Sequence, residues 1–278
     1  MELGIFARTY ARPTLEAVLD AVRDQGLTQV QFNLAGVGLP TVPEIVPDDV
    51  SQRVRQAMDE RGLTVAALSG TINLIHPDQA ERAEGVRRLA GLISAAPALG
   101  THLVTLCTGT RDAANMWRRH PDNDMPEAWA DLLAALAELL PAAEAAGVTL
   151  GVEPEPANVV SDAPRARRLL DELRSPALKI VFDGANLAAH HPPGEATDRL
   201  RDAGQLLGDD VISAHAKNLS ADGKEVATAD PAGVLDFDEY LAVLRSFNYR
   251  GPLLLHGLPE AAVPESVNFL RRKLAGAG

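Results

Sequence analysis

One repeating unit constrains the fold of this chain more than any other feature: a segment of helical periodicity, a glycine, and then a short apolar run. Gly26, Gly62, Gly100, Gly147 and Gly251 each occupy the glycine position. Glycine there suits a helix that ends in a left-handed residue, and β-branched or apolar residues dominate the runs that follow. Because these runs are apolar nearly throughout, we expect strands buried on both faces, as in parallel sheets.

Eight such runs predict strands at residues 2–6, 28–33, 63–69, 102–107, 148–153, 178–183, 210–215 and 252–256. Amphipathic segments lie between them, for example around Leu15 and Leu132, with apolar residues spaced as on one helix face. Asp236 and Glu239 form a capping-box pattern at the start of another helix. Strands and helices that alternate eight times predict an α/β fold, a single (β/α)8 TIM barrel domain over residues 1–278.

An open doubly wound sheet shares this local pattern and is the alternative. No Gly-x-Gly-x-x-Gly turn follows the first predicted strand, and no Gly-x-x-x-x-Gly-Lys loop occurs anywhere in the sequence. A nucleotide-binding version of the open sheet therefore has no support from motifs. The absence of these motifs favours the closed barrel.

Composition excludes several classes of protein. The 38 acidic and 26 basic residues give a net charge of -12, and no basic run offsets it, so we expect no nucleic-acid partner. We expect no membrane span and, without a secretory-signal pattern, a cytoplasmic location. The single cysteine, Cys107, allows no intrachain disulfide, and we expect it to be a small buried hydrophobic residue.

Four consecutive predicted strands end in a side chain that binds metals. Glu153, Asp183, His215 and His256 each follow an apolar run, at the ends of the fifth to eighth strands. In a barrel these ends converge on one mouth, where like charges repel unless a cation or a proton compensates them. The pattern therefore predicts a divalent-metal site. Mixed oxygen and nitrogen ligands suit Mn²⁺, Zn²⁺, Co²⁺ or Fe²⁺ better than Ca²⁺. Mg²⁺ is a further candidate.

A second group of polar residues follows the same strands. Glu155, Asn158 and Asn186 are predicted to contact substrate, and Lys217 is predicted to be catalytic. Lys217 comes two residues after His215, a spacing that directs both side chains to one face of a strand, where an ammonium group neutralises an oxyanion. The structural alternatives are a solvated loop carboxylate for Glu155 and a simple ion pair for Lys217.

The predicted loop at residues 108–120 is long and rich in side chains that bind ligands, which is typical of a substrate lid. We expect Trp117 to stack on a sugar and Arg111 to hold an anionic or hydroxyl group, although Trp117 would also serve simply to pack the loop. His76 is a further predicted substrate contact, but the proline and aspartate after it are also typical of a helix start. The histidine pair at residues 190–191 is expected in a solvated loop.

The sequence resembles the xylose isomerase-like TIM-barrel superfamily, in particular its family of sugar phosphate isomerases and epimerases. The superfamily also includes endonuclease IV-type DNA repair enzymes. The resemblance covers essentially the whole chain, and the segments that carry it are residues 147–154, 181–183, 215–217 and 233–237. It implies that Glu153, Asp183 and His215 bind a divalent metal together with a glutamate at the end of the eighth strand. It also implies that the two glutamates exchange the substrate proton.

The sequence departs from the family pattern in two places. His256 replaces the glutamate of the eighth strand, and Asn186 replaces a histidine that usually follows the strand-six aspartate by three residues. An imidazole still binds a metal, but this change removes the second carboxylate base of a two-base epimerase. Glu260, four residues after His256, is the candidate to compensate.

The leading hypothesis is a metal-dependent isomerase or epimerase of a small sugar, sugar phosphate or related polyhydroxy carbonyl compound, acting through an enediolate. Glu153 is the first candidate for the base, with Glu155, His256 or Lys217 returning the proton. A metal-dependent dehydratase or lyase on a polyol-type substrate and a non-catalytic sugar-binding barrel stay open. Hydrolysis of DNA needs a basic groove, which the acidic balance disfavours. The expected partner is a small sugar-like molecule, and a homo-oligomer is left open.

Overall fold

The computed structural model describes residues 1–189 and 193–276. Eight parallel strands form a closed barrel: β1 (Leu3–Phe6), β2 (Gln29–Phe32), β3 (Thr64–Ser69), β4 (Leu103–Cys107), β5 (Thr149–Glu153), β6 (Leu178–Asp183), β7 (Val211–Ala216) and β10 (Leu253–Leu255). Neighbouring strands follow one another around the ring, and β10 pairs with both β7 and β1 to close it. The predicted barrel and its eight strands are therefore confirmed.

Two short strands lie outside the barrel. β8 (Asn218–Leu219) and β9 (Glu225–Val226) pair antiparallel in the connection that follows β7. This small hairpin was not predicted from the sequence, because two-residue strands leave almost no periodic signal.

Helices alternate with the barrel strands. They are α1 (Leu15–Asp24), α2 (Asp48–Asp59), α3 (Gln79–Ala95), α4 (Pro126–Ala146), α5 (Ala163–Leu173), α6 (Gly184–Ala188), α7 (Pro193–Leu207), α8 (Phe237–Ser246) and α9 (Val263–Ala275). The predicted cap is confirmed, because the Asp236 carboxylate accepts from the backbone N–H groups of Asp238 and Glu239 at the start of α8. No helix in the described ranges is long and apolar enough to cross a membrane.

Four of the five predicted left-handed glycines are confirmed. Gly26, Gly62, Gly100 and Gly147 have φ angles of 66°, 62°, 89° and 63°. The prediction for Gly251 is wrong, because Asn248 takes the left-handed conformation (φ 57°) after α8. Gly251 is instead required by packing, since a Cβ there would lie 2.5 Å from the Tyr249 hydroxyl oxygen.

The register of the strands brings the predicted site residues to one level at the carboxyl end of the barrel. Cys107 on β4 lies opposite Glu153 on β5, and Asp183 on β6 lies opposite His215 on β7. His256 follows directly after β10, whose Leu254 pairs with His215. The histidine pair at residues 190–191 lies outside the described residues, so that prediction stays untested.

Candidate metal and substrate site

A cavity of about 620 Å³ opens at the carboxyl ends of the barrel strands. Six of the predicted site residues line it: Trp117, Glu153, Glu155, Asn186, Lys217 and His256. Residues that were not predicted also line it, notably Phe6, Arg8, Gln31, Ser69, Thr105, Cys107, Arg119 and Glu225. The cavity is therefore built from the ends of most barrel strands and from the loop after β4.

Three side chains, of which His256 lines this cavity while Asp183 and His215 are buried, form a cluster that could hold a metal ion. One ligand atom each from Asp183, His215 and His256 lies within 4.8 Å of the others. Oδ2 of Asp183, Nδ1 of His215 and Nδ1 of His256 are buried and have no hydrogen-bond partner among the described residues. A buried polar atom without a partner is costly, and a cation bound by these atoms would remove that cost. The donor set therefore fits a divalent metal.

Gln31 orients the imidazole of His215. The Gln31 amide nitrogen donates to Ser69 Oγ (3.3 Å) and Thr105 Oγ1 (3.2 Å), which assigns its oxygen as the acceptor for His215 Nε2, 3.0 Å away. His215 Nδ1 then faces two carboxylates, 3.4 Å from Glu153 Oε1 and 3.6 Å from Asp183 Oδ2. Such an outer partner fixes which nitrogen of a histidine is free to bind a metal.

His256 lies between two rings. Its imidazole stacks on Phe6 with centroids 5.4 Å apart and on His215 with centroids 5.0 Å apart, the latter with planes only 7° from parallel. Burial, followed by the positive charges of His215 and Lys217, lowers the pKa of His256 well below its ordinary value. His256 is therefore neutral at pH 7, which is the form of imidazole that binds a metal.

Glu153 lies beside the three-residue cluster and is held by a chain of hydrogen bonds. The Lys217 ammonium donates to Asn186 Oδ1 (2.6 Å), and Asn186 Nδ2 donates to Glu153 Oε1 (2.8 Å). Asn186 thus occupies the usual histidine position of the family but serves to orient a carboxylate. The cluster of candidate ligand atoms comprises Asp183, His215 and His256, and the prediction that Glu153 also binds the metal stays untested.

The charges of the site stabilise one another. Burial opposes the imidazolium form of His215, but the Glu153 and Asp183 carboxylates outweigh it and raise the pKa of His215 to about 9. Burial likewise opposes charge on Lys217, and the same two carboxylates with Glu155 raise its pKa above the ordinary value. Lys217 in turn contributes to a lowered pKa of Asp183, against the effect of burial. In the metal-free protein a proton on His215 thus supplies positive charge to the cluster.

Glu155 differs from the other carboxylates because its pKa lies near neutrality. Burial, and then the negative charge of Glu153, raise the pKa of Glu155 to about 7. The thiol of Cys107 donates to Glu155 Oε1 over 3.2 Å. Cys107 is buried, as predicted, but it is more than a small hydrophobic residue, since it lines the cavity and binds a carboxylate in its wall.

The loop after β4 contributes Trp117 and Arg119 to the cavity, but Arg111 is engaged elsewhere. Trp117 is half exposed at the rim. The Arg111 guanidinium donates to the Ile75 carbonyl (3.0 Å) and to Asp131 Oδ2 (2.6 Å). In the ranges that the structure describes, Arg111 does not line the cavity. The observed contacts of Arg111 therefore connect the loop after β4 to α4. They do not direct the Arg111 side chain to the cavity in which the ligand is predicted to bind.

His76 and Asn158, both predicted to contact substrate, also lie outside the lining of the cavity as far as the chain is described. His76 Nε2 is 3.3 Å from Glu81 Oε2, beside the start of α3. Asn158 is fully buried, and its Oδ1 accepts from the Gly109 N–H. Glu260 pairs with Arg12 instead of reaching the cavity, so it does not compensate for the missing carboxylate.

The fold agrees with comparisons with known proteins. A family model described as a xylose isomerase-like TIM barrel matches residues 19–273. Because the match covers most of the sequence, the chain belongs to the xylose isomerase-like TIM-barrel family. The comparison with curated proteins gave no match.

Several solved structures share the fold over nearly their whole length. A 3-keto-D-glucoside 4-epimerase from E. coli is 18% identical with a TM-score of 0.76, covering 98% of this chain and 99% of its own. An L-ribulose 3-epimerase is 20% identical with a TM-score of 0.74, covering 99% and 95%. A mannonate dehydratase from Streptococcus suis is 14% identical with a TM-score of 0.77, covering 100% and 93%. At these identities the likeness shows the fold alone.

Proposed function

We propose that this protein is a divalent-metal-dependent isomerase or epimerase of a small polyhydroxy carbonyl compound. The observation that carries the proposal is the cluster of Asp183, His215 and His256, with buried atoms that lack partners, at a cavity in which the Glu153 carboxylate lies next to them. Two structures of the same fold are described as a 3-keto-D-glucoside 4-epimerase and an L-ribulose 3-epimerase, which supports a sugar as substrate.

The donor set narrows the choice of cation. Asp183, His215 and His256 would hold it, and a divalent cation there supplies Lewis-acid stabilisation of negative charge on neighbouring substrate oxygens. Two imidazoles and one carboxylate suit Fe²⁺, Zn²⁺, Co²⁺ or Mn²⁺ better than Mg²⁺, which prefers an all-oxygen octahedron.

Glu153 is the proposed base that removes a proton from the carbon next to the substrate carbonyl. Its carboxylate lines the cavity, and the hydrogen bond from Asn186 leaves it with further acceptor positions. The ammonium group of Lys217 stays charged and favours the negative charge that develops on the enediolate oxygen. Glu155 lines the same cavity two residues later and is the proposed partner that returns the proton to carbon.

The test is exchange of carbon-bound hydrogen with solvent. The full chain, loaded with the cation that elemental analysis identifies, is incubated in D₂O with a panel of ketoses, 3-keto sugars and sugar phosphates, and deuterium at carbon is measured by NMR. We expect exchange with at least one member of the panel. Glu153→Gln should slow it by about 10²–10⁴-fold, because that is the usual contribution of a positioned general base.

A matched control separates loss of the base from loss of a surface charge. Glu138→Gln removes an exposed carboxylate from α4 and should exchange at the wild-type rate. Metal content and melting temperature are measured for each variant. Exchange at the wild-type rate in Glu153→Gln, with metal still bound, would exclude Glu153 as the base.

Dehydration is the second candidate, and His256 favours it. A neutral imidazole occupies the end of β10, so a second carboxylate base is missing there among the described residues. A structure of this fold is described as a mannonate dehydratase. Loss of water from a polyol acid in the same assay, without deuterium in recovered substrate, would favour the dehydratase. Binding of sugars without either reaction would favour a non-catalytic sugar-binding barrel.

A further inference from the structure

Arg8 brings a positive charge to the cavity without a carboxylate to neutralise it. It lies in a short 3-10 turn, Ala7–Thr9, directly after β1, and its side chain is exposed and lines the cavity. Its guanidinium carbon is 4.9 Å from the centroid of the Phe6 ring. Within the described ranges, Arg8 forms neither an ion pair nor a hydrogen bond through its side chain.

The other cations of the cavity wall are already engaged. Lys217 pairs with Asp183 over 3.4 Å and donates to Asn186. Arg119 donates to Asp124 over 2.6 Å. An arginine that stays unpaired in a protein with a net charge of -12 is available to an anion from outside. Among the described residues that line the cavity, Arg8 is therefore the cation that is free to bind a ligand.

A row of stacked groups connects Arg8 to the metal cluster. His215 stacks on His256, His256 stacks on Phe6 with ring centroids 5.4 Å apart, and the Arg8 guanidinium carbon lies 4.9 Å from the centroid of the Phe6 ring. These two distances place the Arg8 guanidinium carbon no more than about 10 Å from the centre of the His256 ring, a distance that a short polyhydroxy chain with a terminal anionic group can span. Stacking on an aromatic ring also restricts a flexible arginine and leaves its N–H groups free for hydrogen bonds.

We propose that Arg8 determines substrate specificity by binding an anionic group, a phosphate or a carboxylate, at the end of the substrate remote from the metal cluster. The planar guanidinium donates two parallel hydrogen bonds to either group. This inference rests on the proposed function, because it takes the reacting end of the substrate to lie at Asp183, His215 and His256. It narrows the substrate class to sugar phosphates and sugar acids.

Binding measurements test the proposal without relying on turnover. Three probes with the same five-carbon chain are titrated calorimetrically into the metal-loaded full chain and again after treatment with a chelator: ribitol, D-ribitol 5-phosphate and D-ribonate. We expect at least one anionic probe to bind about tenfold or more tightly than ribitol, as charge-assisted hydrogen bonds are worth this much. Whether the phosphate or the carboxylate benefits identifies the anion.

Variants assign the preference to Arg8. Arg8→Gln should bind ribitol like the wild type and lose the preference for the anionic probe, whereas Arg8→Lys should keep part of it. Arg12→Gln is the matched control, since Arg12 lies on the same loop but pairs with Glu260, outside the lining of the mouth cavity in the described chain. Arg12→Gln should retain the full preference. Equal affinity of the wild type for all three probes, or an unchanged preference in Arg8→Gln, would overturn the proposal.

The two proposals fail in different ways. If Arg8→Gln loses the anion preference but the wild type exchanges no hydrogen with any carbonyl substrate, the anion site stands and the isomerase fails. If exchange occurs equally fast with neutral ketoses and sugar phosphates, and Arg8→Gln changes the KM of neither, the isomerase stands and the role of Arg8 fails.

Discussion

Two groups of buried or partly buried polar residues lie at the carboxyl end of the barrel, and they differ in how completely they are hydrogen-bonded. The first, which we name the loop anchor, consists of Asn73, Thr110 and Asn123. Asn73 donates to the Thr110 carbonyl (2.8 Å) and accepts from its N–H (3.0 Å). Asn123 accepts from the Thr110 hydroxyl (3.0 Å) and donates to the Ala157 carbonyl (3.0 Å). The polar atoms of the loop anchor thus bond to protein.

The second group is the cluster of Asp183, His215 and His256, in which each residue has a buried atom without a hydrogen-bond partner among the described residues. Both groups lie at the end of the barrel where functional residues are expected. The difference shows that partnership, rather than residue type, separates polar residues that hold the fold from polar residues that await a ligand. The variants below break or sharpen this comparison, because each should affect one group and spare the other.

Removal of a cluster imidazole should have the largest effect. His215→Ala is expected to weaken binding of the divalent cation by more than about 100-fold, beyond the range for outer-partner mutations, because it deletes a ligand atom. His102→Ala is the matched control, since His102 lies just before β4, at the opposite end of a barrel strand, and contacts the Gly147 carbonyl. Metal affinity is measured by competition with a chromogenic chelator. Equal affinity in the two variants would show that the cluster is not a metal site.

Loss of the outer partner should have an intermediate effect. Gln31→Met has a similar length but no acceptor for His215 Nε2, so the imidazole loses the contact that fixes its free nitrogen. We expect metal affinity to fall by roughly 10–100-fold, the range for such outer partners. Gln56→Met, on the surface of α2, is the control. If Gln31→Met binds metal as tightly as wild type, then the carboxylates alone position His215.

The fold could be predicted from the sequence because its signals are local and repeated. Each apolar strand between amphipathic helices contributes the same pattern, and eight copies leave few alternative topologies. Gly251 shows where that logic ends, since its requirement comes from the Tyr249 side chain rather than from a helix end. A glycine kept by packing and a glycine kept by backbone conformation look alike in sequence.

The cluster could be predicted because a closed barrel places the ends of its strands side by side. The proximity of Asp183, His215 and His256 therefore follows from the strands alone, without knowledge of the loops. The rest of the wall could not. Gln31 reads only as a polar residue within a strand, although that interruption of β2 is a usable signal. Arg8 follows β1 in the same way, but the chain has many arginines, and only three-dimensional neighbours show which are unpaired.

Arg111 presents the opposite case: its residue type suggests a ligand contact, whereas the contacts that the structure describes for it are with protein. If Arg111 serves only to hold the fold, as the loop anchor does, Arg111→Met should lower the free energy of unfolding by about 1–2 kcal/mol and leave metal affinity unchanged. The loss of stability comes from charge-assisted hydrogen bonds that are only partly exposed. The loss is limited because Asp131 keeps its ion pair with Arg82, 3.1 Å away.

Urea unfolding in the presence of a chelator measures this effect without stabilisation by bound metal. Arg53→Met is the matched control, since its ion pair with Glu16 is exposed and such pairs contribute less than about 1 kcal/mol. A weaker affinity for sugars in Arg111→Met, with unchanged stability, would show that Arg111 belongs to the substrate site and not to the residues that hold the fold. Pairing within the protein would then no longer separate the two groups, because a residue with complete protein partners would also bind the ligand.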